Sequence, residues 1–235
     1  MNEFIKYFDQ VSIINLPYRM DRQAEMRVDL ARVSMSLDMR HVSFFEACRP
    51  NDKGKFPNIG ARGCFMSHLG VLKQAKAQGV DRLLVMEDDL SIDSEWALKS
   101  AAMIRELDAT EWDIVYFGHV LSEKESDSFF NFYDENIQLT HFFAVHSRIF
   151  PKLIQFLELV ASREAGDPNG GPMHVDGAYS TFRQQNKEIK TLVATPSLGW
   201  QRASKTDIHT LKWFDKLPVV KGAVAKLRKI KNLLN

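Results

Sequence analysis

Cysteine is scarce in this sequence: Cys48 and Cys64 are the whole supply. Neither a CxxC pair nor a Cys/His spacing suggestive of zinc occurs. The two are read as free thiols in a reducing compartment, the alternative being a single disulfide. Long apolar runs are missing as well; none approaches the ~18 residues that a membrane span requires. The opening MNEFIKYFDQVSIINL has no basic stretch leading into an apolar one, so no signal peptide is expected and the protein is placed in the cytoplasm. Charge of one sign is lacking too. The 31 Lys and Arg against 30 Asp and Glu leave a net +1, which removes any strong global attraction to polyanions. No internal repeat or low-complexity segment is visible, which excludes repeat architectures.

What remains is an ordinary globular composition. With 45% hydrophobic and 26% charged residues, 235 residues can build a sizeable core without disulfides. Patterning predicts strands over 11–16, 41–47, 82–87 and 112–117, alternating with helices over 22–37, 63–78 and 94–107. Asp93 or Ser94 is the expected N-cap of the last. Residues 49–59, with Pro50, Asn51, Gly54, Pro57 and Asn58, read as a loop. Beyond Gly118 the pattern is less regular. Residues 123–135 read as a hairpin or surface excursion, 142–146 and 189–194 as strands, and 148–160 and 175–183 as helices. Residues 165–173 form a Gly/Pro loop of the kind that often covers active sites. The expected class is α/β, with a Rossmann-like, mostly parallel central sheet flanked by helices. One domain is expected over 1–211, divided near residue 118, with a basic tail over 212–235.

The most informative stretch is Leu83-Leu84-Val85-Met86 running into Glu87-Asp88-Asp89. A buried strand wants apolar residues, whereas three adjacent carboxylates repel one another and resist burial. At an exposed strand end they are explained by a divalent cation of the oxygen-ligand type, Mn²⁺ or Mg²⁺, which also takes substrate phosphates. The alternative is a solvated acidic turn that caps the next helix. Ligands of open α/β sheets bind at the carboxyl ends of strands, where this triplet lies.

Three ordered segments resemble glycosyltransferase family 25, the lipopolysaccharide-biosynthesis and collagen-galactosyltransferase family. They are Ile14-Asn15-Leu16-Pro17-Tyr18-Arg19-Met20-Asp21-Arg22, Gly63-Cys64-Phe65-Met66-Ser67-His68, and Leu84-Val85-Met86-Glu87-Asp88-Asp89. Weaker echoes follow at 112–118, Val175-Asp176, Pro196, Gln201 and Asp207-Ile208. The resemblance implies a GT-A fold and transfer of a hexose, often from UDP-galactose, with inversion at the anomeric carbon. It implies that Asp89 binds the metal directly, that Asp88 contacts the ribose or a metal-bound water, and that Glu87 orients the loop or the nucleotide. The half after Gly118, which usually sets acceptor choice, matches the family loosely.

Other residues have two readings each. Asn15, Leu16, Arg19 and Arg22 stand at the exit of the first strand, where guanidinium groups can fork onto phosphate. Arg22 could instead start a solvated helix and pair with Glu25 or Glu3. Ser67 and His68 are candidates for nucleotide contact, or His68 holds its helix to its neighbours. Cys64 reads as a small buried residue; a Cys64–His68 pair at helical spacing has no evident third member. Asp176 is the candidate general base, or an N-cap. His174 and His209 are candidate metal ligands from the second half. Gln201 and Asp207 rest on the family echo. The tail after Asp215 has no acidic residue and carries apolar positions near helical spacing, interrupted by Pro218. It reads as a docking segment for an anionic membrane surface or as an ordinary packed helix. The expected partners are thus a nucleotide sugar, a glycan or glycolipid acceptor and a membrane surface on its inner face, but no nucleic acid. Competing readings are a non-catalytic subunit of glycan assembly and another metal-dependent nucleotide enzyme. The absence of glycine from 14–22 argues against a nucleotidyltransferase phosphate loop.

Overall fold

The computed structural model describes residues 3–122 and 126–202. Asp207, His209 and the basic tail therefore lie outside the described residues. The fold is α/β, as expected. A seven-stranded sheet runs in the order β2-β1-β3-β7-β5-β8-β6. Its strands are β1 (Gln10–Asn15), β2 (Val42–Glu46), β3 (Arg82–Glu87), β5 (Ile114–Tyr116), β6 (Phe130–Phe132), β7 (Phe142–His146) and β8 (Thr191–Ala194). The pairings leave five strands pointing one way, with β7 and β6 reversed. Two further strands, β4 (Leu90–Ile92) and β9 (Gly199–Gln201), form a small antiparallel sheet of their own.

Successive side chains of a strand face opposite sides, and this divides the core in two. Leu84, Met86 and Phe142 point into one layer with Phe4, Met26, Leu30, Trp96 and Phe117. Val85 and Phe143 point into the other, with Phe65, Leu72, Phe150, Tyr179 and Phe182. Every residue of β1 is buried, as befits a central strand covered on both faces.

Helices α1 (Glu3–Lys6), α2 (Met20–Arg32), α3 (Ile59–Ala77), α4 (Ser100–Ala109), α5 (Phe150–Ser162) and α6 (Val175–Gln185) supply the covering layers. Several depart from expectation. Helix α2 stops at Arg32 instead of running to 37, because Ser34 adopts φ 57°. Helix α3 begins four residues early, where the Asn58 side chain accepts a hydrogen bond from Ala61 N at 2.7 Å. The helix expected over 94–107 opens as a 3-10 turn, Glu95–Lys99, where Asp93 Oδ1 accepts from Glu95 N at 2.9 Å while Ser94 makes no side-chain cap bond, and α4 follows from Ser100. Of the hairpin or surface excursion expected over 123–135, the described part carries β6, which pairs with distant β8. Both cysteines are free thiols.

Candidate active site

The site grows from the end of β3. Glu87 is its last residue, and Asp88 and Asp89 make the turn into β4. The turn is held by backbone bonds from Asp88 N to Ile14 O (3.1 Å) and from Glu87 N to His141 O (2.9 Å). All three carboxylates are thereby drawn toward the protein, and Asp88 and Asp89 are buried.

Each carboxylate is treated differently. Asp88 is fully engaged: Asn15 Nδ2 donates to Oδ2 at 2.7 Å and Arg22 Nη1 to Oδ1 at 2.5 Å. Arg22 therefore pairs with neither Glu25 nor Glu3; it crosses from α2 to the acidic turn and also lies 3.6 Å from Asp89 Oδ2. Direct metal ligation by Asp88 would cost this pair, so the geometry makes it an anchor. Burial pushes the Asp88 carboxyl above its usual range, with Glu87 adding to the rise, against the pull of Arg22 and Asn15.

Asp89 keeps one oxygen bare. Gln201 Nε2 donates to Oδ2 at 3.2 Å, while Oδ1 is buried with no hydrogen-bond partner among the described residues. Burial, then repulsion from Glu87 and, more weakly, from Asp88, push its carboxyl up to about 7, with Arg22 and Gln201 opposing. A buried anionic oxygen without a donor is costly. A divalent cation answers that cost, so Asp89 fits the metal role.

Glu87 turns the other way. Its Oε1 lies 3.1 Å from His68 Nε2 and 3.7 Å from Cys64 Sγ. Burial raises its carboxyl, but the hydrogen bond and charge of His68 outweigh that and hold it below the usual value. His68 is fully buried, its ring stacked on Phe143 at 5.7 Å. The expected Cys64–His68 pair thus has a third member, Glu87. Ser67 is spent on architecture: Oγ accepts from Cys48 N at 2.8 Å and donates to Gly63 O at 2.7 Å. A Cβ on Gly63 would stand 2.7 Å from Cys48 O, so only glycine lets α3 approach the segment after β2 this closely.

A cleft of about 330 Å³ opens over this turn, walled by Leu16, Tyr18, Arg22, Arg49, Cys64 and the three carboxylates, among others. Arg19 forks onto Asp21 instead, with Nε at 2.9 Å and Nη2 at 2.8 Å. A second, smaller cavity of about 120 Å³ shares Cys64 and Glu87 with the cleft and adds His141, His174, Asp176 and Gln201. Asp176 is not the helix cap, since it lies inside α6. Its Oδ1 accepts from Gly177 N at 2.8 Å and Oδ2 from Leu139 N at 3.4 Å. The structure therefore brings Leu16, Arg22, Ser67, Glu87, Asp88, Asp89, His174, Asp176 and Gln201 around two adjoining cavities, with Asn15 joined to them through Asp88.

Sequence reasoning missed Arg202, Tyr18, Arg49 and His141. Arg202 clamps the acidic turn, donating from N to Asp89 O and from Nη2 to Asp88 O, each at 2.7 Å, while pairing with Asp29 of α2. The Arg49 guanidinium lies 4.9 Å over the half-exposed Tyr18 ring at the mouth of the cleft. His141 is buried, with its ring against Gly118, where a Cβ would meet Nε2 at 2.5 Å. The one available signal was adjacency: Arg202 follows Gln201, and Tyr18 sits inside the first motif.

The chain is 29% identical over 139 residues to a human protein named inactive glycosyltransferase 25 family member 3. It is 25% identical over 129 residues to mouse procollagen galactosyltransferase 2. Over about half its length this chain is similar to members of the glycosyltransferase 25 family. The matches take in 51% and 47% of this chain but only 23% and 21% of those relatives, so the chain spans under a quarter of their length. No family model matches. A solved structure, a glycosyltransferase involved in glycosylation of the major capsid of PBCV-1, superposes with a TM-score of 0.53. It is 11% identical, and the match covers 84% of this chain and 94% of that one, which shows a shared fold.

Proposed function

We propose that this chain is a divalent-cation-dependent hexosyltransferase that takes its sugar from a nucleotide donor, UDP-galactose first among candidates. The acceptor we infer is a hydroxyl of a surface glycan or glycolipid of the lipopolysaccharide kind. One observation carries the reading: beside the 330 Å³ cleft, Asp89 presents a buried carboxylate oxygen without a partner among the described residues. Its family relatives support it, since those with activity in their names are galactosyltransferases.

Mn²⁺ or Mg²⁺ at Asp89, with His174 or His209 as a further ligand, would supply Lewis-acid neutralisation of the departing diphosphate. The chain's own residues do the rest. Arg22, Asn15 and Arg202 hold the acidic turn, so that Asp89 needs no rearrangement to bind. The wall of Leu16, Tyr18, Ala47 and Pro50 offers an apolar seat for a nucleobase. Asp176 lines the smaller cavity and accepts from two backbone N–H groups, which supports a role as the base that would receive the acceptor's proton. The acceptor oxygen bonds to the anomeric carbon, the bond from that carbon to the diphosphate oxygen breaks, and the proton passes to Asp176. The basic tail 212–235 would bring the enzyme to an anionic membrane carrying a lipid-linked acceptor. No helix among the described residues is long and apolar enough to cross a membrane.

The test is transfer of labelled galactose from UDP-galactose to a panel of glycan acceptors with Mn²⁺. Asp89→Asn should slow it at least about a hundredfold. A second reading, binding without turnover, is favoured by one finding: the human and bovine relatives carry "inactive" in their names. Cation-dependent donor binding with no transfer and no donor hydrolysis would select it.

A further inference from the structure

The Cys64, His68 and Glu87 cluster lies beside the donor cleft, yet the transfer chemistry makes no use of its sulfur. Cys64 and His68 stand one helical turn apart on α3, facing the end of β3. One ligand atom from each, a thiol sulfur, a ring nitrogen and a carboxylate oxygen, all lie within 4.8 Å of one another. Zinc bonds of about 2.0–2.3 Å place tetrahedral ligand atoms roughly 3.3–3.7 Å apart. The sulfur–oxygen separation here is 3.7 Å and the nitrogen–oxygen separation 3.1 Å. Both are tetrahedral edges to within a few tenths of an ångström.

We propose that Cys64 Sγ, His68 Nε2 and Glu87 Oε1 form a transition-metal site, for Zn²⁺ by its donor chemistry, separate from the oxygen-donor site at Asp89. Thiolate and imidazole favour a borderline-soft cation, whereas the Asp89 carboxylate suits Mn²⁺ or Mg²⁺. On binding, the thiol loses its proton to solvent and the sulfur binds as thiolate. The imidazole binds through Nε2 with its proton on Nδ1. In the metal-free site Nε2 carries the proton that it donates to Glu87 Oε1; the metal replaces that hydrogen bond with a bond to each partner, and Nδ1, buried with no hydrogen-bond partner among the described residues, takes the proton. Cys64 and Glu87 line both cavities, which leaves the fourth position open to a water or a small ligand. Burial, and after it the charges of Glu87, Asp176 and Asp89, push the Cys64 thiol well above its usual value, so the metal must displace that proton; the same three negative charges attract a cation.

The experiment is titration of the full-length, metal-free chain with Co²⁺, followed by displacement with Zn²⁺. One equivalent of Co²⁺ should raise a sulfur-to-cobalt charge-transfer band in the near ultraviolet with tetrahedral visible bands, and Zn²⁺ should abolish them. Cys64→Ser should lose the sulfur band and weaken zinc binding at least about tenfold. Cys48→Ser, which removes the exposed thiol of the same cleft, should keep both. Asp89→Asn should keep the cobalt spectrum while losing cation-dependent UDP binding, which separates this site from the donor reading. X-ray absorption of the zinc-loaded wild type needs no variant to fold: one sulfur at about 2.3 Å with nitrogen and oxygen at about 2.0–2.1 Å supports the site. A zinc shell of nitrogen and oxygen alone, a cobalt band lost in Cys48→Ser and kept in Cys64→Ser, or unchanged zinc affinity in Cys64→Ser overturns it.

Discussion

Arg22 on α2 donates to Asp88 at the end of β3 over 2.5 Å and 66 positions of sequence, with side chains only 10% and 7% exposed. The pair fastens the first helix after β1 to the acidic turn. It is what converts three crowded carboxylates into a fixed site with one oxygen to spare.

Removing one member of a buried ion pair leaves the other uncompensated. Arg22→Met should therefore destabilise the fold by about 3 kcal/mol, with Asn15 still satisfying one oxygen of Asp88. Urea unfolding measures this. A loss under about 0.5 kcal/mol would mean that the pair is not formed in solution.

Asp89 gives a signed pH dependence in the metal-free protein. Its carboxyl is raised from 3.8 to about 7, so the fold favours the protonated form. That stabilisation is fully present below the unfolded value and lost as pH rises from about 4 through about 7. Asp89→Asn does not titrate. With chelator present it should exceed wild type in stability by on the order of 2–4 kcal/mol at pH 8, the gap closing toward pH 4. Thermal melts across that range check it; a gap that widens toward acid would refute it.

Gly63→Ala places a methyl 2.7 Å from Cys48 O. Helix α3 must then move from the segment after β2, straining the Ser67 bridge. A destabilisation of about 1–3 kcal/mol is expected, with weaker nucleotide binding because the same segment walls the cleft. Chemical unfolding and a UDP titration read the two effects separately.

Asp176→Asn keeps an acceptor oxygen for Gly177 N, the shorter of the two backbone bonds, but faces Leu139 N with an amide NH2 and loses the basic oxygen. Transfer should fall by about 10²–10⁴, with UDP affinity changed less than about twofold. Equal losses in binding and turnover would assign Asp176 to the donor site.

The sequence made some of this legible and hid the rest for physical reasons. Glu87-Asp88-Asp89 stood out because carboxylates following an apolar run conflict with burial. Arg22 and Gln201 stood out as donor-site candidates but not as partners of this turn, and Arg202 did not stand out at all. Arg22, Gln201 and Arg202 reach the turn from α2 and from β9, and a three-residue strand such as β4 or β9 is too short to show a period of two. The same shortness hid β6. The start of α3 was misplaced because Asn58 was taken as part of a proline and glycine loop, although its side chain is the cap. The pair Cys64–His68 was visible as helical spacing, but its third member comes from another element, which spacing along one helix cannot reveal.

The most direct measurement is calorimetric titration of UDP into the full-length chain with Mn²⁺ and again with EDTA, alongside Asp89→Asn. The account predicts binding that requires the cation and weakens at least about tenfold in the variant, with the fold intact by circular dichroism. UDP binding that is equal in EDTA and unchanged in Asp89→Asn, or no binding in any condition, would contradict it.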